Sequence, residues 1–469
     1  MAEPKVDPNK LRDNLIQKFE QRTQDLKENT DYYESERRPD AVGVSVPRKM
    51  EEFLAKVGYP RTYVNSIADR LAVEGFRLGG ADKADETLWD WWQANDLDVE
   101  STLGHTDALV HGRSYVTVAA PDPKVDLDVD PTVPIIRVEP PTSLYADIDQ
   151  RTRKVTQAIR VTYGEDGSEV IAATLYLPEN TMSWTREKGE FKLTGNIRHG
   201  MMLVPVVPLA NRTRLSDLHG TSEITPELRS VTDAASRIMM DMQVTAELMA
   251  VPQRLIFGVK AEDLGIDSET GQTLFDAYIA RILAFEESDG RAEQFLAAEL
   301  RNFTEALDHL DKKAAQYTGL PPQYLATQSD NPASAEAIRA SESRLVMAAE
   351  HKALIFGGAW EQVMRVAHKV MNPGGPIPPD MFRMEAKWRD PSTPTYAAKA
   401  DAAAKLYANG MGVIPRERAR IDIGYTEIER LEMQKWDKEE DAMAQLAGMY
   451  GEQPGTASSS PAASKEPAE

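Results

Sequence analysis

Apolar residues recur at helical spacing over two long stretches, residues 226–249 and 298–317, and predict two long helices. Thr225 is placed to cap the first, with Pro226 at its first helical position. Its larger apolar residues, Leu228, Val231, Ala235, Ile238, Met242, Ala246 and Met249, fall on one stripe. The second repeats Leu300, Phe303, Leu307, Leu310, Ala314 and Tyr317 at alternating steps of three and four, a narrow seam rather than a broad core face. Two such helices bracketing a short mixed segment read as struts that pack against neighbouring copies. That points to an assembly subunit instead of a catalytic pocket.

Ahead of the struts the pattern changes period once. Residues 8–36 predict one helix, with Leu11, Leu15, Phe19 and Leu26 on one side, running into Tyr32 and Tyr33. A polar loop (36–48) follows, then helices over 59–74, 86–93 and 97–109, the last stopping at Gly112. Period-two, β-branched runs at 114–119, 135–138, 156–163 and 170–176 predict strands, and 182–184, 190–193 and 204–209 extend the same antiparallel meander. Between the struts, 254–259 reads as a strand, 268–287 as an amphipathic helix and 291–296 as a strand. A long loop (318–333) leads to a very long helix, 334–370, which Gly357-Gly358 should interrupt and kink. One strand (382–388) and three helices (396–409, from Pro415, and from Thr426 with Glu429 as a capping box) complete the pattern. The tail after Gly451, rich in Ser, Ala, Pro and Glu, predicts disorder. The fold class is α+β.

Charge narrows the function. The chain carries 75 acidic and 54 basic residues, a net charge of −21. That balance argues against gripping nucleic acid through basic patches, but does not exclude a protein that lets DNA pass without sticking. There is no cysteine, so disulfides and thiolate metal sites are excluded, as fits assembly in a reducing cytoplasm. The polar N-terminus lacks a signal-peptide core, and no apolar run reaches membrane-spanning length.

Catalytic motifs are absent. No lysine precedes Ser or Thr, which excludes a P-loop, and there is no Gly-x-Gly-x-x-Gly, His-Glu-x-x-His or Gly-x-Ser-x-Gly. His105 and His111 are spaced wrongly for one helix face, and no metal or cofactor is expected. Asp126, Asp128 and Asp130 imitate a calcium loop but lack its sixth-position Gly and twelfth-position Glu. Trp89, Trp91 and Trp92 suit stacking on sugars or bases, but at helical spacing core or subunit packing is the better reading. The basic clusters Lys312-Lys313 and Arg416, Arg418, Arg420 read as solvated faces.

In order along residues 10–445 stand Tyr32-Tyr33; Tyr63-Val64-Asn65 with Ile67 and Asp69-Arg70; Ala108-Leu109-Val110 and Gly112-Arg113-Ser114-Tyr115. Val138-Glu139-Pro140, Val204-Pro205-Val206-Val207 with Asn211, and Ser222-Glu223-Ile224 with Asp233 follow. With the sequence strut, module, strut, loop and long helix, this order resembles the portal (head-to-tail connector) proteins of tailed bacteriophages, in the branch of long-tailed phages of Gram-positive hosts.

The resemblance implies a mainly helical portal fold: a non-enzymatic ring, usually of twelve subunits, at one capsid vertex of the virion. DNA would be packaged and ejected through its channel. The partners implied are terminase, a head-completion adaptor, and capsid and scaffolding proteins. It further implies an α/β wing (1–221, with 334–395), a two-helix stem (222–250 and 298–317), a small α/β clip (251–297), a tunnel loop (318–333) and a helical crown (396–450). Stem packing would fall to Leu228, Ile238, Met242, Leu300, Phe303 and Leu307, partner docking to Lys260, Asp263 and Arg281 in the clip, and contact with passing DNA to Gln323, Gln328, Ser329, Asp330 and Asn331. The rival readings are another head or tail structural protein and an acidic carbohydrate-active hydrolase.

Overall fold

Asp85 and Gly112 bracket the two helices at the centre of the fold. The Asp85 carboxylate accepts from the Leu88 N–H at 3.0 Å and starts α4 (Glu86–Ala94). Gly112, at φ +85°, ends α5 (Leu97–His111) in the left-handed region that a residue with a Cβ resists. The computed structural model describes residues 7–37, 55–81, 84–164, 167, 169–250, 254–257, 282–285, 292–294, 300–325, 335–392, 396–408, 411–425, 429–430 and 432–439. The chain divides into two units, Met1–Pro391 and Ser392–Glu469.

In the larger unit, α5 buries Leu97, Ser101, Gly104, His105, Ala108 and Leu109 against a three-stranded antiparallel sheet of order β3-β2-β9. The strands are β2 (Arg113–Ala119), β3 (Ile135–Glu139) and β9 (Val206–Ala210). A second antiparallel sheet is a five-stranded meander of β4 (Leu144–Ile148), β5 (Val155–Tyr163), β6 (Val170–Tyr176), β7 (Asn180–Glu187) and β8 (Glu190–Arg198). Residues 204–209 therefore do not extend the meander: they pair with β2, Val207 opposite Val116.

The single helix expected over 8–36 is two, α1 (Pro8–Glu20) and α2 (Thr23–Tyr33). The two serve different cores, which accounts for the break. Leu15 and Phe19 of α1 cover Ile159, Leu175 and Trp184 of the meander, whereas Tyr32 of α2 joins the central core. Likewise the helix expected over 59–74 stops early, as α3 (Tyr59–Ala68), because Val73–Arg77 forms β1. This strand pairs antiparallel with β13 (Glu385–Trp388), Phe76 opposite Ala386. A 3₁₀ turn, Pro379–Arg383, takes the first part of the strand expected at 382–388.

Two long helices follow the sheets, α6 (Pro226–Ala250) and α7 (Arg301–Thr318), the latter ending at Gly319. The longest, α8 (Ala335–Met371), has 37 residues and would span about 55 Å. It is helical straight through Gly357-Gly358, so the expected interruption is corrected. Gly357 serves packing: a Cβ there would lie 3.0 Å from the Trp388 indole nitrogen. Between α6 and α7, β10 (Arg254–Phe257) pairs in parallel with β11 (Ile282–Phe285) and antiparallel with β12 (Ala292–Gln294). The helix expected over 268–287 is thus a strand at 282–285, and its part at 268–281 lies outside the described residues.

The central core joins β1, α4, α5, α8 and β13 through aromatic rings. Trp92 and Trp360 are fully buried and meet edge to face, centroids 4.8 Å apart. Trp89 stacks on Trp92, and His105 lies between Phe356, Trp360 and Trp388. The tryptophan cluster is therefore interior packing and not a surface for sugars.

The smaller unit holds α9 (Tyr396–Tyr407), α10 (Arg416–Ile423) and further helical residues at 432–439. Its arginines are used within the unit: Arg416 and Arg420 both pair with Asp437 at 2.8 Å, and Arg418 with Asp422 at 2.9 Å. The capping box expected from Thr426 lies outside the described residues, as does the tail after Gly451.

Candidate functional site

The expected struts pack on each other within one chain. Leu228, Val231 and Ala235 of α6 share a cluster with Leu307, Leu310 and Ala314 of α7, closed by Val57 and Tyr59. The start of α6 meets the end of α7, so the pair is antiparallel. The Tyr59 hydroxyl donates to the Asp311 carboxylate at its side. Beyond this shared base, Ile238, Met242 and Phe303 stay half-buried, and Leu300, at the N-cap of α7, is 39% exposed.

Beneath α6 lies a buried ionic network that joins α3 and α8 to the segment between β9 and α6. Lys352 of α8 donates to the Glu223 carboxylate, and to Asn211 Oδ1 at 2.7 Å. Asn211 Nδ2 donates to Glu223 Oε1 at 2.8 Å and to the Thr221 carbonyl at 2.7 Å. The Tyr63 hydroxyl of α3 donates to Glu223 Oε2 at 2.9 Å. Burial alone pushes the Glu223 carboxyl up; the Lys352 charge and its hydrogen bonds outweigh that and hold it below the usual glutamate range. Tyr63 is pushed well up by burial and by the Glu223 charge.

The backbone closes around the same point. The Glu223 N–H donates to the Leu109 carbonyl and the Asn211 N–H to the Gly112 carbonyl, both at 2.8 Å. Gly220, at φ +82°, passes so near Gly112 that a Cβ would lie 1.8 Å from its carbonyl oxygen. Nearby, Tyr32 donates to Asp233 at 2.9 Å and Tyr33 to Asn65 at 2.8 Å. Many of the short motifs scattered through the first half of the chain thus meet at one hub under α6.

A second latch flanks residues 326–334. Tyr324 donates to Glu342 Oε1 at 2.7 Å and accepts from Arg70 at 3.1 Å, while Gln323 donates to the Ser341 hydroxyl at 2.9 Å. The chain before that segment is thereby fastened to the helix that follows it. Of the residues expected to meet DNA, Gln323 is in this latch; Gln328, Ser329, Asp330 and Asn331 lie outside the described residues. So do Lys260, Asp263 and Arg281 of the expected docking segment.

His105 makes stability depend on pH. Complete burial holds its imidazole down to about 3 from an ordinary 6.5. Between those values the unfolded chain binds a proton that the folded chain refuses, so this contribution is full above pH 6.5 and is lost as pH falls towards 3. Moving from pH 7.5 to 5 should cost about 2 kcal/mol from this residue, read as a lower urea midpoint. A midpoint that holds steady over that range contradicts the reading.

No group of three or more His, Cys, Asp or Glu suited to a metal occurs among the described residues, and no described helix is long and apolar enough to cross a membrane. What sequence reasoning missed is Lys352. Its signal was a lone charge on the stripe Ala349, Phe356, Trp360 and Val363, all fully buried.

The arrangement is that of an architectural subunit: a braced pair of long helices standing on a tightly bonded base. A family model described as phage portal protein, SPP1 Gp6-like, matches residues 12–446, and the chain belongs to that family. The portal protein of Mycobacterium phage L5 is 65% identical over 437 residues, 93% of this chain and 90% of that one. That of Mycobacterium phage D29 is 65% identical over 438 residues, again 93% and 90%. A chain from the neck of a native GTA particle, computed with C12 symmetry, covers 83% of this chain and 96% of its own at 15% identity and a TM-score of 0.38.

Proposed function

We propose that copies of this chain close into a ring, of about twelve subunits as the family resemblance implies, at one vertex of a phage capsid, and that DNA enters and leaves through its axial channel. The observation that carries this is the helix pair α6–α7. Its base is consumed by packing within the chain, while Ile238, Met242 and Phe303 remain half-buried on a single subunit. In a ring these residues would meet the next copy, so 222–250 and 298–317 act as the stem. Residues 251–297 act as the clip, docking terminase and then a head-completion adaptor through charges such as Lys260, Asp263 and Arg281. Residues 1–221 with 334–395 form the wing, facing capsid and scaffolding proteins, and 396–450 the crown. Residues 318–333 form the tunnel loop. The net charge of −21 per chain supports a conduit that repels phosphate rather than holding it.

The test is assembly. Purified chain should give closed rings with an axial hole by negative-stain microscopy, and Met242→Glu should leave folded monomers, because a carboxylate would be buried at each contact between copies. Only monomers or open chains from the parent protein, under all assembly conditions, would remove the reading.

A further inference from the structure

Arg113, at the start of β2, is only 8% exposed, yet no carboxylate among the described residues pairs with it. Its Nη1 donates to the His219 carbonyl at 3.1 Å. Beside it stands Tyr115, 1% exposed, whose hydroxyl lies near the Arg113 guanidinium and the Ala146 backbone without a well-formed hydrogen bond to either. The His219 ring stacks on Tyr145, centroids 6.4 Å apart and planes at 16°, with its Nδ1 buried and unpartnered. Arg22, between α1 and α2, lies 4.9 Å over the Tyr145 ring and also lacks a carboxylate.

The nearby carboxylates are already engaged. Asp147 accepts from Lys18 at 2.7 Å, Gln157 at 2.7 Å and Tyr145 at 2.8 Å. Asp217 accepts from the Gly220 N–H at 2.8 Å and the Thr221 hydroxyl at 2.6 Å. Asp147 is paired with Lys18, Arg22 is half-exposed, and buried Arg113 has Asp217 nearby but no ion pair among the described residues. Burial, then Arg22 and Arg113, hold His219 down to about 4, although Asp147 and Asp217 act on it in the opposite sense. Burying an unpaired charge is unfavourable, even for a guanidinium, which is more weakly hydrated than an ammonium. In a chain of net charge −21, a buried arginine without an ion pair is not a by-product of composition.

We propose that Arg113, Arg22, His219 and Tyr115 form a binding site for one small oxyanion of the phosphate type. Its charge completes the pairing, and the guanidinium fork of Arg113 suits tetrahedral oxygens. Arg113 and Tyr115 are too well covered for a nucleic-acid backbone to reach them, so the ligand is a free ion. Bound there, it ties the α1–α2 junction to β2, β4 and the loop before α6, which is the part of the fold that carries the helix pair. The inference stands whether or not the ring reading holds.

The test uses the full chain at constant ionic strength, with inorganic phosphate replacing chloride and the thermal midpoint as the readout. The midpoint should rise and saturate with phosphate. Arg22→Gln, which alters a half-exposed side chain, should need about tenfold more phosphate for the same rise, as expected for one lost charge-assisted hydrogen bond. Arg113→Lys should weaken binding similarly, whereas Arg151→Gln, an exposed arginine in the turn after β4, should respond like the parent. Phosphate no better than chloride overturns the proposal, as does an unchanged response in both Arg22→Gln and Arg113→Lys. A larger effect from duplex DNA than from free phosphate, lost in the same variants, also overturns it by making the ligand a polymer. Should Arg113→Lys not fold, ³¹P line broadening of inorganic phosphate decides: broad with the parent and narrow with Arg22→Gln supports the site, and narrow with both overturns it.

Discussion

Replacing Lys352 with alanine is expected to destabilise the chain by about 3–5 kcal/mol, the usual cost of stripping one partner from a buried ion pair. Its amine is the only cation on Glu223 among the described ion pairs, and both side chains are about nine-tenths covered, 8% and 11% exposed. Without it, the Glu223 carboxylate keeps the Tyr63 and Asn211 hydrogen bonds but no counter-charge. The double variant Lys352→Met with Glu223→Gln should recover most of the loss, because it removes both charges and keeps the volume. Acidity gives an independent readout. The depressed Glu223 pKa means that its stabilisation is complete above the ordinary glutamate value and is lost as pH falls through the folded one. The alanine variant should lack that part of the acid slope. A urea midpoint for Lys352→Ala equal to the parent's would show that the network carries no net energy.

Trp360→Ala should cost about 3–5 kcal/mol by a different route, the opening of a cavity in a core that has no room to relax. The indole is completely buried between Trp92 and His105, and its Nε1 donates to His105 Nε2 at 2.8 Å. Trp360→Phe separates the two parts of the effect. It keeps most of the packing but leaves the His105 nitrogen unpaired, which should cost about 1–3 kcal/mol. Equal losses for Ala and Phe would mean that the hydrogen bond, and not the packing, dominates at this position.

Patterns of short range were legible in the sequence, and pairings of long range were not. The stripe from Leu228 to Met242 and the stop at Gly112 mark helices, because both rest on contacts within a few residues. Residues 73 and 74 read as the tail of a helix because nothing local separates them from α3; the partner of their strand, β13, lies more than 300 residues further on. The 8–36 pattern hid a break at Gln21-Arg22 because apolar spacing alone does not tell which core each turn will face. Gly357-Gly358 misled for a related reason. Low helix propensity signals a kink only when tertiary packing is silent, and here Trp388 needs the missing side chain. The hub under α6 was half visible: Tyr63, Asn211 and Glu223 stood out as short motifs, but the lysine that unites them comes 129 residues after Glu223.

The β1–β13 ladder sets a schedule for synthesis. Val73 leaves the ribosome early, yet Trp388, its partner, must wait for more than 300 further residues, roughly 15–60 s at ordinary translation rates. Through that interval β1 lacks its partner strand, and the aromatic core lacks Phe356 and Trp360 for most of it and Trp388 to the end. A chain cut short before Glu385 lacks β13, so β1 stays unpaired and the aromatic core is left without Trp388. Until β13 arrives, the hydrogen-bonding groups along the edge of β1 that it pairs with have water as their only partner, so late completion of the chain, and not local propensity, fixes this part of the fold.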